Sequence, residues 1–303
     1  MSLISLQSES NFAVERDSLR RFIFEQLPVQ GRHVHLDASW RAVLEHRDYP
    51  AAVRNLLGEA CAASALLAAT LKFDGMLTLQ IRGGASVPLL VVQCTSGFNL
   101  RGLAHWSGDV DEGAGLKSLV GDGQLAITIE QHQKVERYQG IVPLEGDSLA
   151  ASLEGYFARS EQLQTRLWLR ADRECAAGFL LQVMPDREAS ADAWQHVTVL
   201  ADTLKSAELG ALPAQALLHR LYHEDDVRLF GVAPVAFRCQ CSRTRIEATL
   251  RGLGATEVRD IVSELGKVHV DCEFCGRGYD FDKVDVEALL VSSPVAQVSA
   301  QLH

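Results

Sequence analysis

The sequence predicts an α+β protein with an N-terminal antiparallel-sheet domain and packed helices, a helical linker, and a small C-terminal domain organised by four cysteines. Three patterns predict this class. Alternating apolar residues, as in strands, recur along the first 184 residues around one long helical stretch. After residue 190 the apolar residues recur at helical spacing, and two close pairs of cysteines follow near the end. A length of 303 residues suits two domains with at least one large core.

The N-terminal domain is predicted to contain a tightly packed helix and a series of strands. Residues 33–36 alternate as in a strand, and small and apolar residues at helical spacing predict a helix over residues 51–71, with Cys61 in the core. Another helix, over residues 148–163, begins at Ser148, which can cap it. Short turns join further strands into an antiparallel sheet, over residues 77–81, 88–94, 100–106, 124–131, 136–144, 165–170 and 177–184.

Residues 185–190 are polar and charged and form a boundary, after which two amphipathic helices are predicted. Apolar residues at helical spacing place the first over residues 192–204, and Pro213 suits the start of the second. Two arrangements would cover the apolar faces of these helices. Either the helices pack permanently on the sheet domain, or they form a detachable cover that the acidic residues 223–226 help to keep soluble after release.

The last segment is predicted to be a small module of two helices and a hairpin. The helices span residues 242–253 and 256–265, with Thr256 as the cap of the second, and a strand over residues 267–272 pairs with one around Tyr279. Few large apolar side chains are present, so the module depends on a cross-link or a metal for its stability. The predicted division of the chain is residues 1–188, 189–236 and 237–303.

Four of the seven cysteines stand in two tight pairs, Cys239-x-Cys241 and Cys272-x-x-Cys275. Two chemistries account for this arrangement. A structural zinc site needs four soft ligands, delivered as two local pairs and held as thiolates, whereas neighbouring thiols can also form two local disulfides. The Cys-x-Cys spacing differs from the knuckle of ordinary zinc ribbons and indicates a site that switches. Gly276 suits the tight turn after the last cysteine.

Composition limits the classes of function. The formal net charge of -10 and the pI near 5.5 argue against a nucleic-acid partner, because binding to phosphates needs clustered Lys and Arg. No run approaches the roughly 18 apolar residues of a membrane span, and the N-terminal residues do not resemble a secretory signal. We therefore expect a cytosolic protein, in which paired thiols favour metal or redox roles. The isolated Cys94 and Cys175 are predicted to be structural.

Two other functions compete with a zinc switch. A thiol oxidoreductase presents one exposed Cys-x-x-Cys at a helix N-terminus, not four cysteines that complete a metal site. A zinc-ribbon module for nucleic acid needs a basic face, whereas residues 238–285 mix Arg with Asp and Glu. His269 lies close to Cys272 but is not needed as a ligand, since four cysteines already complete a tetrahedron. None of the glycine clusters forms a nucleotide-binding loop.

The cysteine chemistry indicates a redox switch. Four thiolates on zinc supply about 10–16 kcal/mol of apparent folding free energy, so loss of the metal should unfold the module. Oxidants attack thiolates, and each of these cysteines has a neighbour with which to form a disulfide. We expect oxidation to expose apolar surface of the sheet domain and the linker as a binding site for other proteins. Its linker residues are predicted to include Trp194, Val197, Leu200 and Leu204.

Several motifs extend beyond the cysteines. They are RFIFEQLPVQGR (21–32), LLGEACAASALLAATLKFDG (56–75), ERYQGIVPLEGDSLA (136–150), YFARSEQLQTRLWL (156–169), AAGFLLQVMP (176–185) and LYHEDDVRLF (221–230), with CQCSRTRIEATLRGLG and CEFCGRGYDFD around the cysteines. With these motifs the chain resembles the redox-regulated heat-shock chaperones of 33 kDa, a bacterial family with a Cys-x-Cys and Cys-x-x-Cys zinc switch. The resemblance covers nearly the whole chain.

The resemblance implies an ATP-independent holdase that is not an enzyme. In the reduced, inactive form, Cys239, Cys241, Cys272 and Cys275 bind one Zn²⁺ per chain. Oxidation joins Cys239 to Cys241 and Cys272 to Cys275, releases zinc and unfolds the linker. The activated homodimer then holds unfolding client proteins and passes them to an ATP-dependent foldase system. The resemblance also implies a cytoplasmic location, with neither nucleic acid nor a membrane as partner.

Two positions depart from the family pattern. Thr244 stands where an acidic residue is expected, and Gln164 stands where a proline is expected. Neither changes a thiol ligand. The departures bear on the threshold and speed of activation rather than on metal binding.

Overall fold

The computed structural model describes residues 16–131, 137–144, 146–185, 187 and 189–291, and it confirms an α+β fold with antiparallel sheets. Its strands are β1 (Ser18–Phe24), β2 (Val29–Leu36), β3 (Gly75–Arg82), β4 (Leu89–Thr95), β5 (Asn99–His105), β6 (Gln124–Gln131), β7 (Arg137–Pro143), β8 (Thr165–Ala171), β9 (Ala176–Val183), β10 (Val227–Pro234), β11 (Ala236–Phe237), β12 (Val268–Asp271) and β13 (Gly278–Phe281).

The helices are α1 (Ala38–Leu44), α2 (Ala51–Thr70), α3 (Leu116–Val120), α4 (Leu149–Tyr156), α5 (Ala191–Asp202), α6 (Ser206–Ala211), α7 (Ala214–Tyr222), α8 (Arg243–Leu253), α9 (Ala255–Leu265) and α10 (Lys283–Val291). A π-helical turn, Phe157–Glu161, continues α4. The chain forms two compact units, residues 1–238 and 239–303. The predicted boundary over residues 185–190 falls partly, at 186 and 188, outside the described residues.

Five strands of the first unit form one antiparallel sheet in the order β10-β1-β2-β9-β8. The sequence predicts β2, β8 and β9 but misses β1 and β10. In β1 the adjacent Arg20 and Arg21 interrupt the alternation of apolar residues, and β10 lies at the sheet edge with none of its residues fully buried. A strand of either kind lacks the period-2 pattern that identifies half-buried strands.

The other six strands form a second sheet in the order β11-β5-β4-β3-β6-β7. It is antiparallel except where β11 pairs with β5 in parallel. The strands predicted to form one sheet therefore divide between two sheets. Alternation identifies a strand, but the choice of sheet depends on pairing between residues that are distant in sequence.

Helix α2 packs between the two sheets and forms the centre of the main core. It contacts β2, β8 and β9 of the five-stranded sheet and β3, β4 and β5 of the six-stranded sheet. Its alanines allow the sheets to approach closely, and Cys61 is fully buried, as predicted. Contrary to the sequence analysis, α2 is long and apolar enough to cross a membrane by length and composition, but 78% of its most apolar window is buried inside the protein.

The opposite face of the five-stranded sheet is covered by α5, α6 and α7, which belong to the predicted linker. A second core lies between these helices and the sheet. Phe22 and Phe179 stack there with ring centroids 5.4 Å apart, and Val197 and Leu217 from the helices are fully buried against this face. The linker continues into β10, which pairs with β1. In this structure the linker therefore packs on the sheet domain along most of its length.

In its described part, up to residue 291, the C-terminal unit contains α8, α9, α10 and the β12–β13 hairpin around a core of seven buried apolar residues. Ser242 caps α8 by accepting a hydrogen bond from the Arg245 amide. The prediction of Thr256 as the cap of α9 is wrong, because Gly254, at φ 103°, both ends α8 and starts α9. The small core agrees with the scarcity of large apolar side chains in this part of the sequence.

Two buried histidines on β2 hold α6 against the five-stranded sheet. His35 Nε2 lies 3.0 Å from the carbonyl oxygen of Gly210, and His33 is hydrogen-bonded to the backbone of Leu209. Burial, the larger cause, and repulsion from the neighbouring His35 and Arg20 together lower the pKa of His33 to about 3. The His33 ring is therefore neutral while α6 is docked.

Acid should destabilise this docked arrangement. In the unfolded chain His33 regains an ordinary pKa of about 6.5, so between about pH 6.5 and pH 3 the unfolded state binds more protons and stability falls as the pH decreases. From pH 7 to pH 5, His33 alone should lower the free energy of unfolding by about 2 kcal/mol. Urea unfolding at the two pH values measures this change.

The variant His33→Gln keeps a side-chain N–H for the Leu209 carbonyl and has no titrating group. It should lose about 2 kcal/mol less stability than the wild type between pH 7 and pH 5. His46→Gln, at an exposed position, is the control and should behave like the wild type. An equal pH dependence in the wild type and His33→Gln would contradict the assignment.

Candidate metal centre

The four paired cysteines come together at one end of the hairpin in the C-terminal unit. Cys239 and Cys241 precede α8, Cys272 follows β12, and Cys275 lies in the turn before β13. Their four sulfur atoms all lie within 4.8 Å of one another. Within the described part of the chain, they form the one group of three or more His, Cys, Asp or Glu side chains placed to hold a metal ion.

The closest sulfur atoms join the two pairs rather than the members of one pair. Cys239 Sγ lies 3.6 Å from Cys272 Sγ, and Cys241 Sγ lies 3.4 Å from Cys275 Sγ. All four cysteines are free thiols in this structure. Each sequence pair therefore contributes to both close contacts, as expected when two local pairs build one tetrahedral site.

A tight turn presents the second pair. The amides of Cys275 and Gly276 donate to the carbonyl oxygen of Cys272, at 3.2 and 2.8 Å, and Gly276 has a φ of 63°, which favours glycine. Backbone amides of Phe274 and Cys275 also donate to the Cys272 sulfur, and that of Arg277 donates to the Cys275 sulfur. These donors stabilise sulfur as a thiolate.

The crowding of the thiols opposes their ionisation. Burial, the larger cause, and hydrogen bonds with the other three cysteines together raise the pKa of Cys275 to about 12. Burial also raises the pKa of Cys272. Four negative charges cannot stay this close without a cation among them, because like charges at such distances repel strongly. The arrangement therefore suits a bound metal ion.

The donor set and the spacing fit a tetrahedral metal ion. With metal–sulfur bonds of about 2.3 Å, the sulfur atoms of a tetrahedral site lie about 3.8 Å apart. The observed contacts of 3.4 and 3.6 Å and the 4.8 Å limit lie around that value. Four sulfur ligands in this geometry are typical of zinc or iron–sulfur sites.

His269 does not belong to this group. Its Nδ1 lies 2.9 Å from Asp280 Oδ1, and its Nε2 lies 3.1 Å from Asp271 Oδ1. These carboxylates raise its pKa above the ordinary value, chiefly through the hydrogen bond with Asp280. His269 therefore lies on the surface of the hairpin within a charged network, as the sequence analysis expected when it set this residue aside as a ligand.

The other three cysteines lie in the first unit, away from this group. Cys61 and Cys94 are fully buried and Cys175 is nearly so. Burial raises the pKa of all three thiols, that of Cys94 to about 12. Neutral, enclosed thiols are poor nucleophiles, which agrees with their predicted structural role.

The sequence analysis missed one contact with the cysteine group. Tyr279 was noted only as part of the hairpin, but its hydroxyl lies 3.2 Å from Cys241 Sγ and donates a hydrogen bond to it. The side chain of Arg277 is in turn hydrogen-bonded to Tyr279. The Cys-x-x-Cys spacing carries no signal for either residue, because the hairpin register decides which side chains reach the sulfur atoms.

The four linker residues predicted to bind client proteins lie in the first unit. Val197 is fully buried in the second core. Trp194, Leu200 and Leu204 are partly buried and pack against that core. All four are thus covered, or partly covered, while the linker is docked.

Comparisons with known proteins match most of the chain to one family. A family model described as Hsp33 protein matches residues 17–282. The chain is 49% identical over 288 residues to a 33 kDa chaperonin of Nitrosococcus oceani, covering 95% of this chain and 99% of that protein. It is 46% identical over 279 residues to a 33 kDa chaperonin of Vibrio cholerae, covering 91% and 96%.

A solved structure has the same fold. The crystal structure of the 33 kDa chaperonin of Thermotoga maritima superimposes with a TM-score of 0.79 at 24% identity. The match covers 91% of this chain and 98% of that one.

Removal of one thiol should abolish metal binding. The variant Cys272→Ser leaves three sulfur ligands and replaces a nearly buried one, so metal content measured by mass spectrometry should fall from about one ion per chain to near zero. Cys175→Ser is the matched control, since it removes a nearly buried thiol outside the group, and it should retain the metal. Equal metal content in the two variants would exclude the four-sulfur site.

Proposed function

The chain belongs to the Hsp33 family of chaperones, which are not enzymes, and we propose that it is an ATP-independent holdase controlled by oxidation of its four clustered cysteines. The observation that carries this proposal is the placement of four thiols, none of them in a disulfide, within 4.8 Å of one another. Such a group binds a metal when reduced and forms disulfides when oxidised.

In the reduced form, Cys239, Cys241, Cys272 and Cys275 hold one Zn²⁺ per chain. Bound zinc supplies the positive charge that keeps four thiolates ionised side by side. Among the described residues of this unit, 239–291, the core contains only seven buried apolar residues, too few for a stable domain of this length. The free energy of metal binding therefore contributes most of the stability of this unit.

Oxidation reverses this stabilisation. Two thiolates transfer two electrons to one peroxide molecule: a sulfur–sulfur bond forms, the oxygen–oxygen bond breaks, and two hydroxide ions leave. The resemblance to the family implies the pairs Cys239–Cys241 and Cys272–Cys275. Disulfide sulfur is a poor metal ligand, so oxidation of both pairs releases the metal and the C-terminal unit unfolds.

Unfolding reaches the linker through the chain itself. The switch linker corresponds to residues 189–236, and only Phe237 and Arg238 separate it from Cys239. β11 adds only two residues to its sheet, and β10 is an edge strand. Short and edge strands are the first to detach, since they have few hydrogen bonds and little buried surface.

Release of the linker helices would uncover a large apolar surface. The five-stranded sheet presents Phe22, Phe179 and Leu181 on the face that these helices cover. The helices themselves carry Trp194, Val197, Leu200 and Leu204. An exposed apolar area of this kind binds unfolded proteins through the hydrophobic effect and needs no nucleotide.

The remaining features of the proposal follow from the family resemblance. Unfolded or partly unfolded proteins are the clients, and the activated protein forms a homodimer. Clients pass to an ATP-dependent foldase system, and the protein acts in the bacterial cytoplasm during oxidative stress. The acidic net charge of -10 does not favour nucleic acid as a partner.

A thiol oxidoreductase is the weaker alternative. Such an enzyme exposes its Cys-x-x-Cys at a helix N-terminus, which lowers the pKa of the attacking thiol. Here Cys272 and Cys275 lie in a turn between two strands, and burial raises the pKa of both.

Zinc content and holdase activity should change together. The reduced protein should contain one zinc per chain and fail to suppress aggregation of a thermally unfolding test protein. Peroxide under mildly unfolding conditions should release the zinc as suppression appears, and dithiothreitol with zinc should reverse both. Peptide mapping of the oxidised protein should give the pairs Cys239–Cys241 and Cys272–Cys275.

Holdase activity with zinc still bound would exclude the switch. Persistent zinc without activity after peroxide would make the C-terminal unit a permanent structural module.

Weakening the contacts between the linker and the second core should lower the peroxide concentration needed for activation. The variants Leu200→Ser and Leu204→Ser each remove part of an apolar contact with the second core, worth about 1–2 kcal/mol. The control is Val199→Ser, which changes a side chain of α5 that is 54% exposed, and it should behave like the wild type. Aggregation assays over a series of peroxide concentrations measure the midpoint of activation, and an unchanged midpoint in both leucine variants would contradict the role of the linker.

A further inference from the structure

We propose that Tyr279 is a positioning residue whose hydroxyl shields Cys241 from oxidants by donating a hydrogen bond to its sulfur, and that it thereby slows the release of the metal. This inference rests on the proposed function, since it concerns the same four cysteines. It assigns to Tyr279 and Arg277 a control over the rate of the switch.

The hairpin holds the hydroxyl in place. Tyr279 pairs with Val270 across the hairpin, and Phe281, two residues further along the strand, is 1% exposed in the core. The ring of Tyr279 packs against the same core. The Tyr279 ring and the strand that follows it are therefore anchored by the core, and the hydroxyl lies 3.2 Å from Cys241 Sγ.

Arg277 strengthens this donor. Its guanidinium is hydrogen-bonded to Tyr279 and lies near the sulfur atoms of Cys241 and Cys275. A phenol that accepts a hydrogen bond from a cation becomes a better donor, because each bond in such a chain polarises the next. Hydrogen bonds thus link Arg277 to Tyr279 and Tyr279 to Cys241, and they direct positive charge toward the Cys241 sulfur.

A hydrogen bond to the Cys241 sulfur slows the reaction of that sulfur with peroxide. In the first step the Cys241 thiolate attacks one oxygen of peroxide, the oxygen–oxygen bond breaks, and a sulfenic acid and one hydroxide ion form. The thiolate of the partner cysteine then displaces hydroxide from the sulfenic acid to form the disulfide. The first step uses a sulfur lone pair, and a donated hydrogen bond withdraws electron density from that pair. Tyr279 therefore lowers the rate of attack.

Tyr279→Phe separates this role from packing, because it removes the hydroxyl and keeps the ring against the core. Peroxide should release zinc from this variant about three- to tenfold faster than from the wild type, the range expected for one hydrogen bond of ordinary net strength. A colorimetric zinc indicator follows the release. Tyr138→Phe, which removes an exposed hydroxyl in the first unit, is the control and should match the wild type.

A spectroscopic measurement reports on the sulfur directly. When Co²⁺ replaces zinc in the full chain, the sulfur-to-cobalt charge-transfer band reports the electron density on the thiolates. Loss of the hydroxyl should move this band to longer wavelength in Tyr279→Phe but not in Tyr138→Phe. Arg277→Met should move the band and the release rate in the same direction by a smaller amount.

The outcomes distinguish this inference from the proposed function. Equal release rates and equal cobalt bands in the wild type and Tyr279→Phe would overturn the role of Tyr279 while leaving the switch intact. A wild-type protein that binds no metal, or retains it in peroxide, would overturn both proposals. If Tyr279→Phe binds no metal, Arg277→Met decides: faster release with a shifted band supports the inference, and wild-type behaviour overturns it.

Discussion

The C-terminal unit depends on the mutual proximity of four thiols. Its buried apolar residues are few, and thiols within 4.8 Å of one another resist ionisation unless a cation lies among them. Both facts favour a metal ion, which would neutralise the sulfur atoms and stabilise the unit. In the proposed switch, oxidation of the sulfur ligands would remove this stability, so the same four atoms would determine both the stability of the unit and its regulation.

The first unit contains two separate apolar cores, and in the proposed switch one stays closed while the other opens. Helix α2 is enclosed by two sheets and contributes most of its residues to the main core. The second core lies on the outer face of the five-stranded sheet and is closed by three short helices. Because one sheet separates the two cores, the outer helices could detach while the inner core stays folded. A chaperone that activates by partial unfolding needs such a division.

Hydrogen bonds inside the second core make the docking of the linker helices sensitive to charge and to the entry of water. Neutral His33, together with His35, holds α6 through backbone carbonyl oxygens, and Tyr222 donates to the Val197 carbonyl at 2.9 Å between two of the helices. Buried hydrogen bonds of this kind add specificity to an apolar interface, but they are lost when a partner becomes charged or when water enters. The linker is thus docked by contacts that changes in pH or packing can weaken.

The sequence by itself determined the four cysteines, the helix around Cys61, most strands and the cap at Ser148, because spacing and capping are local properties of the chain. It did not determine that the strands form two sheets, that β1 and β10 pair, or that Tyr279 reaches Cys241. Those features depend on register and on contacts between residues far apart in sequence. Only the tertiary structure, which brings such residues within bonding distance, decided them.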